Sequence, residues 1–158
     1  MDPFQEIRLG HESELRNAIS DEDIVTLNEH RQNLLHEAVA YKRLEIGKEL
    51  IRRGIFVNHQ DDEGGTPLHY AAAHRDPIFT KVLLENGANP NIHDQYGNGP
   101  LWAAVFNAKG FYDVVALLMD AGANPNHRNK HDRSPLDFAQ QIKDNQLVAI
   151  LQSGFKTG

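Results

Sequence analysis

The chain has 158 residues, one domain's worth of protein, and its 40% hydrophobic and 24% charged content is an ordinary globular balance that excludes wholesale disorder. Sixteen Lys and Arg against 22 Asp and Glu give a formal net charge of −6, which argues against nucleic-acid binding, where a basic face supplies most of the affinity. No cysteine is present, so disulfides, thiol catalysis and Cys-based zinc sites are excluded together, a composition compatible with the cytoplasm.

The N-terminus has no basic segment followed by an apolar one, so no signal peptide is expected. Leu15, Ala18 and Ile19 are spaced as the core positions of an inner helix, and Ser20-Asp21-Glu22-Asp23 reads as the start of an outer helix ending near Glu29. Thereafter the chain repeats. Thr66-Pro67-Leu68-His69 lies 33 residues after Asn33-Leu34-Leu35-His36, Gly99-Pro100-Leu101-Trp102 another 33 on, and Ser134-Pro135-Leu136-Asp137 a further 35. A second landmark keeps the same beat: Gly54, then Gly87-Ala88-Asn89-Pro90-Asn91, then Gly122-Ala123-Asn124-Pro125-Asn126.

Each part of the unit has a physical reading. Thr66 caps a helix through its hydroxyl, and Pro67 at the first helical position gives up an N–H that has no partner there. Leu68, Ala71 and Ala72 make a short inner helix with small residues for close stacking. Asp76-Pro77 restarts the chain as an outer helix with Phe79, Val82 and Leu83 at helical spacing, and Gly87 suits a left-handed C-terminal cap. Asn89-Pro90-Asn91 then turns the chain into a polar finger that returns through Gly64 or its equivalent Gly97. The unit is helix, turn, helix, finger. In the third copy Gly99 replaces the capping Thr and Trp102 the His, which weakens that helix start, and two extra residues around Ala108-Lys109 enlarge the turn between helices. The longest apolar run, Val114 to Met119, is bounded by Asp113 and Asp120 and falls short of the roughly 20 residues of a membrane span. At the far end Gln140 and Gln152 stand where earlier copies carry Ala72 and Leu84, as a terminal repeat facing water requires.

Period, start motif and end motif together closely resemble the ankyrin repeat. The resemblance implies an all-α repeat solenoid of helix-turn-helix units joined by β-hairpin-like fingers, with three full repeats between two capping half-repeats. The divisions are 1–30 for the N-terminal cap, 31–60, 61–93 and 94–128 for the repeats, and 129–158 for the C-terminal cap, with no linker or second domain. It also implies that His36 and His69 are buried and hydrogen-bond between neighbouring repeats.

Enzyme chemistry finds little support. The four serines, Ser13, Ser20, Ser134 and Ser153, include two with capping explanations, and no nucleophile-elbow motif occurs. His127 and His131, with Asp132 adjacent, have a spacing within zinc's ligand repertoire, but a finger would not fix two imidazoles as a helix does. Asp21-Glu22-Asp23 and Asp61-Asp62-Glu63 lack calcium-loop spacing and read as helix-N-terminal charge and a solvated finger tip. Gly64-Gly65 and Gly97-x-Gly99 are turn glycines, without a phosphate-loop or dinucleotide fingerprint. No metal or cofactor is expected.

Residues outside the repeat's structural positions are free for recognition. These are Glu29, His30, Gln32 and Tyr41 in the first copy, and Asp62, Glu63, Tyr70 and His74 in the second. Gln95, Tyr96, Asn98, Phe106 and Asn107 follow in the third, and Lys130, His131, Arg133 and Ile142 in the last unit. Tyr96 and Phe106 are interface anchors, or else Tyr96 packs on a neighbouring finger and Phe106 fills space under the inserted turn. Trp102 reads as core. Residues 1–30 carry net −6, 31–60 carry +3, 61–93 carry −3, 94–126 carry −2 and 127–158 carry +2, so the fingers run from acidic to basic. The expectation is a monomeric, cytoplasmic, non-enzymatic protein-binding module that uses its concave face and finger tips on a partner protein with a basic surface. An inhibitor, immunity-type or adaptor role is preferred. The alternatives are a self-assembling scaffold and a metal-dependent activity of the finger histidines; nucleic acid and membrane are not expected partners.

Overall fold

A computed structural model describes residues 2–10 and 12–153 of the chain. The described residues form ten α-helices in five consecutive pairs and no strand. The pairs are α1 (Pro3–Leu9) with α2 (Glu12–Ala18), α3 (Leu34–Ala40) with α4 (Leu44–Arg52), α5 (Pro67–Ala73) with α6 (Pro77–Glu85), α7 (Pro100–Phe106) with α8 (Asp113–Asp120), and α9 (Pro135–Gln141) with α10 (Asn145–Ser153). The odd-numbered helices pack on one another in an inner row, and the even-numbered ones form an outer row behind them.

The second repeat shows why these residues adopt this form. Thr66 Oγ1 accepts the His69 N–H while His69 Nδ1 receives the Thr66 N–H at 3.1 Å, a reciprocal cap in which an imidazole takes the place of the usual Glu. Asp76 caps α6 by accepting the Phe79 N–H at 3.0 Å, and Gly87, with φ of 91°, supplies the left-handed exit. Asn33 with His36 and Ser134 with Asp137 repeat the reciprocal cap. Gly99 makes no side-chain cap at the start of α7, as its sequence predicts. Leu35, Leu68, Ala71 and Val105 from the inner row meet Phe79, Leu83, Leu118 and Leu151 from the outer row in one contiguous core.

The N-terminal cap departs from expectation. The inner helix is Pro3–Leu9 and the outer helix Glu12–Ala18, so Leu15 lies on an outer helix and Ala18 is exposed. Ser20 to Glu29 holds only a 3-10 turn, Asp23–Val25. The Asp2-Pro3 start explains the shift: Asp2 accepts the Phe4 N–H, Pro3 takes the first helical position, and Phe4 and Ile7 are buried one turn apart. After Ser20 the apolar residues do not hold a buried stripe, and Val25 is 80% exposed. The fingers hold no strand among the described residues, while two other expectations agree with the structure. Residues 107–112 join α7 to α8 where 74–76 join α5 to α6, so the insertion does enlarge that turn, and Gln140 and Gln152 are both exposed.

Fingers lead into the inner helices and leave the outer ones. The helix-to-helix turns therefore lie at the other end of every pair, and each repeat offers a finger end and a turn end.

Candidate functional site

Four fingers are built alike, each on one Asn or Asp. Asn28, Asp61, Asp94 and Asn129 donate their N–H to the carbonyl four residues on, and their Oδ1 accepts the N–H groups two and four residues on. These are Asx turns, and they place the intervening residues in register. Neighbouring fingers are stitched by single backbone bonds: Asp62 N–H to His30 O at 3.0 Å, Gln95 N–H to Glu63 O at 2.8 Å, and Lys130 N–H to Tyr96 O at 3.0 Å. Glycine suits this position in the second and third fingers. A Cβ on Gly64 or Gly97, both at positive φ, would stand 3.0 or 3.1 Å from the next finger's backbone.

This register sorts the predicted site residues into columns. Glu29, Asp62, Gln95 and Lys130 form one exposed column, graded from acidic to basic along the solenoid, and His30, Glu63, Tyr96 and His131 form a second. Gln32, Asn98 and Arg133 are half-buried and already engaged. Gln32 Nε2 donates to Tyr70 Oη at 2.9 Å, Asn98 Oδ1 accepts from Asn129 Nδ2 at 2.9 Å, and the Arg133 guanidinium lies 5.9 Å from the Phe138 ring centre. Tyr70 in turn donates to Asp61 Oδ2 at 2.5 Å. Asp61 is therefore not part of a solvated tip as the sequence suggested. Burial alone would raise its pKa, but bonds from Tyr70, Gly65 and Glu63 hold the carboxyl below its ordinary value, while burial and the Asp61 charge push the Tyr70 phenol up. Tyr41, His74 and Asn107 stand elsewhere, at the turn end of α3, α5 and α7, together with Ile142 after α9.

Beneath the fingers the buried histidines tie repeat to repeat. His36 Nε2 bonds the Gly65 carbonyl at 2.9 Å and His69 Nε2 the Asn98 carbonyl at 2.8 Å, as expected. Burial lowers both pKa values, that of His36 to about 4. With Nδ1 taking up a backbone N–H and Nε2 donating outward, the neutral imidazole satisfies both sides. Trp102 ends this ladder.

Between α5 and α7 the inner face opens into a recess of about 260 Å³ lined by Tyr70, Ala73, Ala103, Asp94 and Glu63 among others. It exists because Ala103 holds the position that Tyr70 and Phe138 hold in the flanking repeats. Asp94 spends Oδ1 on its own finger, and Oδ2 accepts no hydrogen bond among the described residues. On the following repeats Trp102, Phe106 and Phe138 form an aromatic cluster with centroids 5.4 to 6.5 Å apart. Phe106 remains 57% exposed within it, on the inner face and not under the inserted turn. Trp102 is half-buried, and Tyr96 is 49% exposed at its finger tip.

A family model for ankyrin repeats, in three copies, matches residues 35–129, more than half of the chain. The chain belongs to the ankyrin repeat family. Relatives include ankyrin repeat protein FPV024 of Fowlpox virus, 33% identical over 123 residues, which are 77% of this chain and 20% of that one. Human ankyrin repeat and SOCS box protein 11 is 32% identical over 81% of this chain and 39% of its own length, and human neurogenic locus notch homolog protein 4 is 37% identical over 59% and 5%. The chain thus spans no more than about two-fifths of the length of these relatives. Ankyrin repeats are generally protein–protein interaction modules and typically not enzymes.

Among the described residues no group of three or more His, Asp and Glu is arranged to hold a metal ion, and no helix is long and apolar enough to cross a membrane. His127 stacks on His93 with ring centres 3.5 Å apart, and the His131 N–H is bound by Asn129 Oδ1. Sequence reasoning passed over Phe138, half-buried beside Phe106, and Phe111, 67% exposed in the enlarged turn. The third aromatic one repeat beyond Trp102 and Phe106 was the available signal for Phe138.

Proposed function

We propose that this ankyrin repeat unit binds a partner protein across its finger tips and inner face, and that the partner presents a basic side chain to the recess between α5 and α7. The observation that carries this reading is the recess. It has an alanine floor, an aromatic flank in Tyr70, and Glu63 and the spare Asp94 oxygen at its rim, which suits a Lys or Arg with its aliphatic stem down and its charge among carboxylates. The aromatic cluster of Trp102, Phe106 and Phe138 lies on the next repeats as an apolar anchor. The graded column from Glu29 to Lys130 would orient the partner and speed its arrival. Occupying a partner's surface in this way serves an inhibitor, immunity-type or adaptor role equally, without any chemistry of its own.

The test compares the wild type with two variants in affinity capture from native lysate. Tyr96→Ala with Asp62→Ala removes finger contacts, and Ala103→Leu fills the recess. A protein held by the wild type and lost by both variants, with melting temperatures within a few degrees, supports the site; retention by both variants removes it.

A further inference from the structure

The turn end carries a pattern of its own. Among the described residues, the non-glycine residues with left-handed φ are Arg31 and Asp132 in the fingers, and Lys42 (56°), Arg75 (52°), Lys109 (46°) and Lys143 (57°) in the helix-to-helix turns. At such φ a side chain is strained, and glycine or asparagine is the conformational choice. The second and third fingers follow that choice with Gly64 and Gly97, and the first helix-to-helix turn does so with Gly10. The other four turns each hold Lys or Arg. Backbone geometry does not ask for a cation there.

Helix C-termini attract cations, which is the competing explanation. In this protein the cations that serve helix ends are visible in the bonding. Arg43 donates to the carbonyls of Ile7 and Arg8 at the end of α1, and Arg53 to those of Arg16 and Ile19 at the end of α2. Lys42, Lys109 and Lys143 are exposed and make no side-chain hydrogen bond or ion pair among the described residues, and Arg75 rests over the Phe111 ring at 4.9 Å. Three of the nearby acids are committed: Asp76 and Asp144 cap α6 and α10, and Glu45 pairs with Arg16 and Lys48. Asp113, in the first turn of α8, lines the larger of two adjoining clefts. The clefts, of about 290 and 370 Å³, share Lys42, His74 and Arg75, and Pro77 and Phe111 give the larger one apolar walls.

We propose that this edge docks an extended acidic polypeptide segment. Packed helices lie roughly 8–10 Å apart, and an extended chain in the polyproline II form rises about 3.1 Å per residue with three residues per turn, so every third side chain faces the same way. Carboxylates at every third position of such a segment would therefore meet Lys42, Arg75 and Lys109 in turn, and an apolar residue between them would rest on Phe111. A polypeptide fits better than a nucleic acid, because the cations form one file with apolar walls on a chain whose net charge is −6. This surface lies at the opposite end of the repeats from the finger tips and stands independently of the function proposed for them.

The experiment is a fluorescence-anisotropy titration at low salt with a labelled peptide of about a dozen residues bearing Glu at every third position and Leu between. A scrambled peptide of equal composition, an oligothymidine of similar charge and phosphatidylserine vesicles are the comparisons. The periodic peptide is expected to bind saturably and at least about threefold more tightly than the scrambled one. The K42N/R75N/K109N variant should lose at least about tenfold in affinity with an unchanged or higher melting temperature, since asparagine tolerates the left-handed backbone. Y96A/D62A should bind as the wild type does. No saturable binding, equal binding of both peptides, or tighter binding of oligonucleotide or vesicle overturns the proposal. So does a triple variant that binds normally, or one whose melting temperature falls, which would return the cations to the helix ends.

Discussion

The two ends of each helix pair are made by opposite rules. At the finger end the backbone is tied from repeat to repeat: Asx turns close the fingers, single backbone bonds join them, and His36 and His69 carry the connection beneath. At the turn end the backbone bonds of the turns stay within each helix pair, cations stand at strained φ, and Tyr41, Phe111 and Ile142 are exposed. The contrast separates cohesion from display. A solenoid must hold neighbouring repeats together somewhere, and here most of the polar part of that work falls on the fingers. Recognition at the finger end is therefore confined to the side chains its bonding leaves over, such as Asp62, Glu63, Gln95 and Tyr96, whereas the turn end is bridged by hydrogen bonds only at its two extremities, by Arg43 to Ile7 and Arg8 and by Tyr112 to Asp144, among the described residues.

If cohesion lies with the fingers, the largest loss should come from cutting the histidine ladder. His69→Ala removes the bond to Asn98, half of the reciprocal cap with Thr66, and buried volume in one step. About 3 kcal/mol of unfolding free energy should be lost in urea titration. Lys109→Asn at the turn end should change stability by less than about 0.5 kcal/mol. Equal losses at the two ends would break the comparison.

Acid should act on the same place. Burial holds the folded His36 pKa at about 4, against an unfolded value of 6.5, so between these pH values the unfolded chain binds a proton that the folded chain does not. Stability should fall as pH drops through that window, by on the order of 3 kcal/mol from His36 alone. His69 adds in the same direction, and the depressed Asp61 carboxyl extends the loss to more acid conditions as it takes up a proton. Urea midpoints measured from pH 7 to pH 4 should decline steadily, and His36→Gln should flatten the decline. A flat wild-type profile would show that the imidazole is solvated.

Much of this was legible in the sequence, and the reasons differ by residue. The repeat, its caps and its histidine ladder recur at fixed spacing, so Thr66, Pro67, His69 and Gly87 announce themselves. The N-terminal helices lie elsewhere than their spacing suggests because Asp2-Pro3, the same start signal as Asp76-Pro77, opens the first helix, and the apolar residues after Ser20 cannot bury a second. Tyr70 and Gln32 read as free because spacing says nothing of a bond across 38 residues. The four turn cations were hidden for another reason. A lysine's backbone angle is not written in its side chain, and only the structure shows that Lys42, Arg75, Lys109 and Lys143 share one strained conformation.

A smaller gain sharpens the comparison most, because it adds cohesion where the finger end lacks it. In the third repeat Gly99 offers no cap and Trp102 replaces the bridging histidine, so both the start of α7 and its tie to the last repeat are weaker. The position that receives the bond in earlier repeats, Gly65 and then Asn98, falls next on Arg133, whose carbonyl among the described residues accepts only the Asn129 N–H that closes the fourth finger. Gly99→Thr alone should gain a few tenths of a kcal/mol at the helix start. Trp102→His alone should destabilise, since it strips the partners of Phe106 and Phe138 while leaving the imidazole without its reciprocal cap. Together they rebuild the arrangement of Thr66 and His69, and the pair should be more stable than the sum of the single changes by about 0.5–1 kcal/mol, a coupling that a double-mutant cycle in urea measures. Strict additivity would mean that the ladder's bonds act singly, and that the contrast between the two ends rests on the fingers' backbone alone.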